Sequence, residues 1–379
     1  MPGMPPRPFR IDVPDSVLDD LRQRLSIARS PDAIPGTGWD YGADVDYVRE
    51  LCDYWRDQYD WRAHESSLNE HPQFLCDVDG VDIHFWHVRG NGPNPFPLCL
   101  IHGWPGSIYE FLQLIGPLTD PAAHGGDAAD AFDVVIPALP GFGFGGKPAE
   151  RGWGITRIAA AFDRLMSGEL GYQRYGVQGG DWGGILSAKM ASAHADHVAA
   201  AHLNFVIAPP PAEPTEEDRK AIEARNAFQA QETGYSNVQG TKPMSLGIAQ
   251  ADSPAGIAAW IVEKFRTWSD CGGDIESVYT KDQLLTNIMF YWAPNSIASA
   301  ARIYYEAMRD PGAFRYPKPE TPVGVANFPG EPWRVPRNWA EARFNITRWT
   351  DMPRGGHFAA MEAPDLLVED IRAFFREWR

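Results

Sequence analysis

The sequence predicts an α/β protein: a mostly parallel sheet flanked by helices, with a helical lid and a helical N-terminal extension. Three observations lead there. Between residues 97 and 207, short apolar runs of buried-strand length alternate with helical stretches, the pattern of a parallel sheet. Within that region the chain passes from strand to helix through the glycine-rich turn Gly179-Gly180-Asp181-Trp182-Gly183-Gly184. Towards the C-terminus, two further strands are followed by loops that carry Glu331 and His357. With 379 residues, 44% of them apolar, the chain is long enough for one large domain with an insertion.

Taken in order, Pro14-Asp15-Ser16 precedes Val17, Leu18, Leu21, Leu25 and Ile27 at helical spacing, and a second amphipathic helix runs from about Ala43 to about Trp61. Residues 1–72 therefore read as a helical extension. From Phe74 the period becomes two. Phe74–Val78 and Val81–Val88 flank Asp79-Gly80, a pair that tolerates the positive dihedrals of a tight hairpin turn. His84 and His87 fall on opposite faces of that strand and suggest neither a ligand pair nor a base. Pro97–Ile101 and Phe132–Leu139 read as buried strands, Ile155–Leu170 as a helix, and Val198–Ile207 as the strand after the helix that follows the glycine-rich turn. The Gly-rich loop Pro140–Pro148 lacks the Gly-Lys-Ser/Thr ending of a phosphate-binding loop.

Pro209-Pro210-Pro211 then breaks the alternation. Residues 211–308 read as a helical lid, with helices at Glu216–Gln231, Pro254–Trp268 and Lys281–Trp292. Strands resume at Thr321–Ala326 and Arg343–Trp349, and Pro364–Trp378 closes the chain as an amphipathic helix. Residues 73–210 and 309–379 are thus expected to be the two parts of one core.

Composition removes several function classes. Lys plus Arg total 34 against 50 Asp plus Glu, a net charge of −16 that argues against nucleic acid or an anionic membrane as partner. There is no apolar run of about 18 residues, and the start Met1-Pro-Gly-Met-Pro-Pro-Arg-Pro-Phe9 lacks the apolar core of a signal peptide, so a cytoplasmic protein without a membrane anchor is expected. Cys52, Cys76, Cys99 and Cys271 are scattered without metal-ligand spacing, and no His-Glu-x-x-His pattern occurs; neither a metal nor an organic cofactor is expected. Of the 14 tryptophans, most belong in the core and some can line an apolar pocket.

The strand-turn-helix stretch carries the chemistry. It has the form of the α/β-hydrolase nucleophile elbow, in which small residues two before and two after the nucleophile let strand and helix approach; Gly179 and Gly183 fill those places. The nucleophile position holds Asp181. A carboxylate acylates poorly at neutral pH but displaces a leaving group at saturated carbon, leaving an ester on the protein, so the expected substrates are electrophilic carbons. The competing reading of Asp181 is an ordinary helix N-cap. In this fold one oxyanion donor comes from the loop after an early strand and the other follows the nucleophile. His102-Gly103-Trp104-Pro105-Gly106-Ser107 is that loop, which makes the backbone N–H groups of Trp104 and Trp182 the expected donors and His102 a packing residue. Glu331 and His357 fit the order nucleophile, acid, histidine. Singly, each also reads as a solvated loop carboxylate or a satisfied buried imidazole, and Asp351 rivals Glu331 for the acid.

Together these residues resemble the epoxide hydrolases of the α/β-hydrolase fold, in particular the microsomal and juvenile-hormone type. The similarity spans nearly the whole chain and includes Pro8-Phe-Arg-Ile11, His102–Ser107, Gln178–Gly183, Thr233-Gly-Tyr-Ser-Asn-Val-Gln239, Glu263–Trp268 and Arg354–Ala360. The resemblance implies Asp181 as nucleophile, His357 as base and Glu331 as the acid that orients it. It further implies two lid tyrosines that hold the epoxide oxygen, Tyr235 and Tyr304, with Tyr305 as neighbouring candidate for the second; lid tyrosines also serve as packing residues. The implied activity is conversion of epoxides to vicinal diols through a covalent ester, with a small-molecule epoxide and water as partners and a homodimer allowed for. Two rivals stand beside it. A haloalkane dehalogenase shares the Asp elbow but needs halide-binding N–H donors, often an Asn where this chain has Trp104; a hydrolase-fold binding protein would have lost its chemistry.

Overall fold

The computed structural model describes residues 5–379, so the first four residues of the start read above for a leader lie outside the described residues. A short strand, β1 (Arg7–Phe9), precedes helices α1 (Asp15–Ser26), α2 (Val45–Asp57) and α3 (Trp61–Leu68). Sequence led to helices alone in this segment, and to two of them. The second divides because the Asp60 side chain accepts from the N–H groups of Arg62 and Ala63 and starts a new helix.

The hairpin strands β2 (Gln73–Val78) and β3 (Val81–Val88) meet at Asp79 and Gly80, whose φ values of 56° and 80° are those of the expected primed turn. β1 is built on this hairpin: Arg7 pairs with Leu75, and its guanidinium holds Asp82 at 2.6 Å. The core continues through β4 (Phe96–Ile101), α4 (Leu112–Thr119), β5 (Phe132–Pro137), α5 (Ile155–Asp163), β6 (Tyr175–Gly179), α6 (Asp181–Ala193) and β7 (Val198–Leu203). The helix expected over 155–170 switches to π-type hydrogen bonding at Arg164–Glu169. Helices α7 (Glu216–Glu232), α8 (Gly234–Thr241), α9 (Pro243–Asp252), α10 (Pro254–Trp268), α11 (Lys281–Trp292) and α12 (Ile297–Ala307) follow, and then β8 (Pro322–Asn327), α13 (Arg337–Arg343), β9 (Asn345–Asp351), α14 (Ala359–Glu362) and α15 (Pro364–Phe375).

The sheet order is β1-β2-β3-β5-β4-β6-β7-β8-β9. Pairing is antiparallel from β1 to β5 through the hairpin and parallel from β5 through β4 to β9. Every residue of β5, β6 and β7 is buried, as expected of strands covered on both faces, which is why they read as continuous apolar runs. Parallel pairing also brings the loops after β4, β6, β8 and β9 out at one edge of the sheet. Ile101 pairs with Gly179 and Asn327 with Asp351, so His102 leaves its strand beside Gly180, and the Glu331 loop leaves beside the His357 loop.

Helix α11 fixes the first of these loops. Ser107 donates its hydroxyl hydrogen to Asn287 Oδ1 at 2.8 Å, Asn287 Nδ2 donates to the Pro105 carbonyl at 2.8 Å, and the Tyr291 hydroxyl donates to the Gly106 carbonyl at 2.5 Å, all buried. The N-terminal helices brace α11 in turn, through the Tyr59 and Thr286 hydroxyls at 2.9 Å and the Tyr54 hydroxyl donating to Asp282. Among the described residues no helix is long and apolar enough to cross a membrane.

Candidate active site

Asp181 is the first residue of α6 and has φ 48°, a left-handed backbone conformation that costs a non-glycine residue about 1–3 kcal/mol. The turn is also crowded. A Cβ on Gly183 would lie 1.7 Å from the Ile101 carbonyl oxygen, and one on Gly103 would lie 2.2 Å from Asp181 Oδ1, so glycine is required at both places. The Asp181 carboxylate accepts from the Trp104 N–H at 2.7 Å. The Trp182 N–H belongs to the first turn of α6, where amides have no intrahelical acceptor and the helix end favours negative charge.

His357 follows β9 and is buried, its backbone N–H tied to the Trp268 carbonyl at 3.0 Å. Its ring Nδ1 lies 2.7 Å from Glu331 Oε2, and the other Glu331 oxygen accepts from the Trp333 N–H at 3.0 Å. Because a carboxylate only accepts, Nδ1 carries the proton in this pair. Nε2 is left facing Asp181 Oδ2 at 3.4 Å, without the alignment of a hydrogen bond. Burial pushes the imidazole down, but the charges of Glu331 and Asp181 prevail and hold it well above its ordinary value.

Opposite Asp181 stand two phenols. Tyr235, in the first turn of α8, stacks on Trp104 with ring centroids 5.1 Å apart, and Tyr304, on α12, meets the Trp182 ring edge-on at 4.7 Å. Their own rings lie 5.7 Å apart. Burial raises both phenols above their usual range, reinforced at Tyr235 by the Asp181 charge and at Tyr304 by Tyr235 and then Asp181, so both stay protonated donors at neutral pH. Both border a cavity of about 530 Å3 that also exposes Asp181, His357, Phe205 and Trp268, a space suited to a mostly apolar molecule.

The N-terminal part of the chain, residues 6–111, matches the family model described as epoxide hydrolase N terminus, and residues 97–253 match that of the alpha/beta hydrolase fold. Epoxide hydrolase 1 of Oryctolagus cuniculus is 36% identical over 403 residues, covering 97% of this chain and 88% of the relative. The chain belongs to the epoxide hydrolase family. Among solved structures, the juvenile hormone epoxide hydrolase of Bombyx mori superposes with a TM-score of 0.86 at 30% identity, over 99% of this chain and 94% of the other. The epoxide hydrolase of Aspergillus niger gives 0.87 at 29% identity, over 99% and 97%.

Within this epoxide hydrolase the other residues weighed from sequence lie apart. Tyr305 turns away from the cavity, beneath the Arg309 guanidinium 3.4 Å from its ring centre. Asp351, at the exposed end of β9, accepts from Asn327 Nδ2 at 2.7 Å and does not reach His357. His102 Nε2 accepts from the Leu139 N–H at 3.1 Å, so its Nδ1–H donates to the Gly103 carbonyl at 2.9 Å, and burial lowers its pKa to about 4. His84 and His87 are bound to Gln73 and Tyr172. Sequence reasoning missed Glu110. A single acid after Ser107-Ile-Tyr gives no signal by itself, yet the 3-10 turn Ile108–Phe111 carries it to a cavity bordered by Asp181 and His357.

Proposed function

We propose that this epoxide hydrolase opens its substrate with Asp181 and hydrolyses the resulting ester with water activated by His357. The observation that carries the proposal is the alignment around Asp181. It has an amide donor at 2.7 Å, an imidazole at 3.4 Å, and two protonated phenols bordering the same cavity.

In the first step a carboxylate oxygen of Asp181 attacks one epoxide carbon while the carbon–oxygen bond breaks. The developing alkoxide is a poor leaving group, and Tyr235 and Tyr304 donate to it where its charge appears, one of them supplying the proton. The product is a hydroxyalkyl ester. In the second step His357 Nε2 takes a proton from water as the hydroxide attacks Asp181 Cγ, with Glu331 holding the imidazole in the required tautomer. The amides of Trp104 and Trp182 receive the oxyanion. Collapse breaks the bond between Cγ and the substrate oxygen, which takes the proton of the new carboxyl group as the diol leaves; a proton from His357 restores the phenol that gave one up in the first step, and Asp181 keeps one oxygen from the water. Formation of the ester removes the Asp181 charge that helps hold His357 protonated, so the first step prepares the base for the second.

The division of labour follows the chain: residues 73–210 and 309–379 supply nucleophile, acid and base, residues 211–308 the phenols, and residues 1–72 the brace. A cytoplasmic location is part of the proposal, and the net charge of −16 bears on it only by disfavouring attachment to an anionic membrane surface. The test is His357→Gln with a reactive epoxide, followed by intact-mass spectrometry. The expected mass is protein plus one substrate, and an unmodified mass contradicts the scheme.

A further inference from the structure

Asp181 and His357 border two cavities. The large one is described above. The second measures about 10 Å3, close to the space that one water requires, and is bordered by Gly103, Gly106, Glu110, Asp181, Asn204 and His357, among others. Two of these residues bring polar groups to its border. His357 Nε2 is buried and has no hydrogen-bond partner. The Glu110 carboxylate lies over Gly106, where a Cβ would stand 2.2 Å from its Oε2, so the glycine makes the room that the carboxylate occupies. Burial raises the Glu110 carboxyl well above its ordinary range, with the His357 charge pulling it down and the Asp181 charge pushing it up.

We infer that this small cavity is the seat of the hydrolytic water and that Glu110 is the residue that positions it. The inference rests on the ester mechanism proposed above. A water seated there donates one hydrogen to His357 Nε2 and the other to a Glu110 carboxyl oxygen, leaving a lone pair for Asp181 Cγ. The base then removes the first hydrogen as the new carbon–oxygen bond forms, while Glu110 keeps the second hydrogen bond and changes no charge. The arrangement separates the reactants: the epoxide meets Asp181 from the large cavity, and water meets it from the other side. It requires an acceptor at residue 110 and no negative charge.

The test uses the full chain, with a chromogenic or fluorescent epoxide in single-turnover mode so that ester formation and ester hydrolysis are timed separately. Glu110→Ala and the bulkier apolar Glu110→Met should form the ester within about twofold of the unmodified rate but hydrolyse it at least about tenfold more slowly, the loss of one positioning hydrogen bond. Glu110→Gln keeps a carbonyl acceptor in the same space and should hydrolyse within about threefold of normal. If Glu110→Ala fails to fold, Glu110→Met reads the same quantity. Hydrolysis at the normal rate in Ala or Met, equal slowing of both steps, or a Gln variant as slow as Ala would each overturn the inference. The ester mechanism fails in a different way: no adduct then forms in any variant, His357→Gln included.

Discussion

Tyr304→Phe isolates one donor without disturbing its surroundings. The ring of Tyr304 packs against Trp104 and Trp182, and phenylalanine keeps those contacts. The hydroxyl is buried and makes no well-aligned hydrogen bond, with Tyr235 and Trp182 as its polar neighbours, a state that costs up to about 1–3 kcal/mol. Removing it should therefore stabilise the fold. For 379 residues the unfolding entropy is about 0.8 kcal/mol per degree, so the gain is a Tm increase of about 1–4 °C. Catalysis should move the other way. Loss of one preorganised donor to a developing oxyanion costs about 10²–10³ in rate, and here the loss should fall on ester formation, not on ester hydrolysis. Stopped-flow quenching of tryptophan fluorescence, with Trp104 and Trp182 in contact with the site, times the first step, and calorimetry gives Tm. A variant that alkylates at the normal rate, or that is slow but less stable, would refute the view that this hydroxyl is held unsatisfied for the substrate.

Glu331→Gln should slow ester hydrolysis by about 10³–10⁴ because the amide can present N–H to His357 Nδ1 and favour the wrong tautomer, whereas Asp351→Asn should stay within about twofold; steady-state turnover separates the two acids. Gly103→Ala places a methyl against Asp181 Oδ1 and should cost about 10² in ester formation through displaced geometry, measured by the same fluorescence phase. The pH dependence of stability has a definite sign. His357 is raised in the folded state, so its contribution is fully present below the unfolded value of about 6.5 and is lost as pH rises through the folded value. Denaturant titrations should show the unmodified protein losing stability relative to His357→Gln over that rise, and a constant difference would contradict the assignment.

What could be read from sequence was what local chemistry dictates. Asp79-Gly80 announced its turn because both residues tolerate positive φ, and the Gly179 to Gly184 stretch announced a crowded elbow because only glycine fits there. The order of Asp181, Glu331 and His357 placed them on loops that a parallel sheet brings to one edge. Features set by distant contacts were hidden. β1 has three residues and no alternation, and its pairing with β2 crosses the whole helical extension. Tyr304 and Tyr305 are adjacent in sequence, and only the packing of α12 turns one to the cavity and the other beneath Arg309. Glu110 matters because of where Gly106, Asp181 and His357 lie in space, which no spacing of residues encodes.

The central claim is that Asp181 bonds to the substrate and is released by attack at its own Cγ. A single turnover in heavy-oxygen water, with enzyme in excess, tests it directly when the peptide carrying Asp181 is weighed after digestion. The account predicts one heavy oxygen in the Asp181 carboxylate and none in the first diol formed. Label in the diol with an unlabelled Asp181 would mean that water attacks the epoxide itself, and would contradict the account.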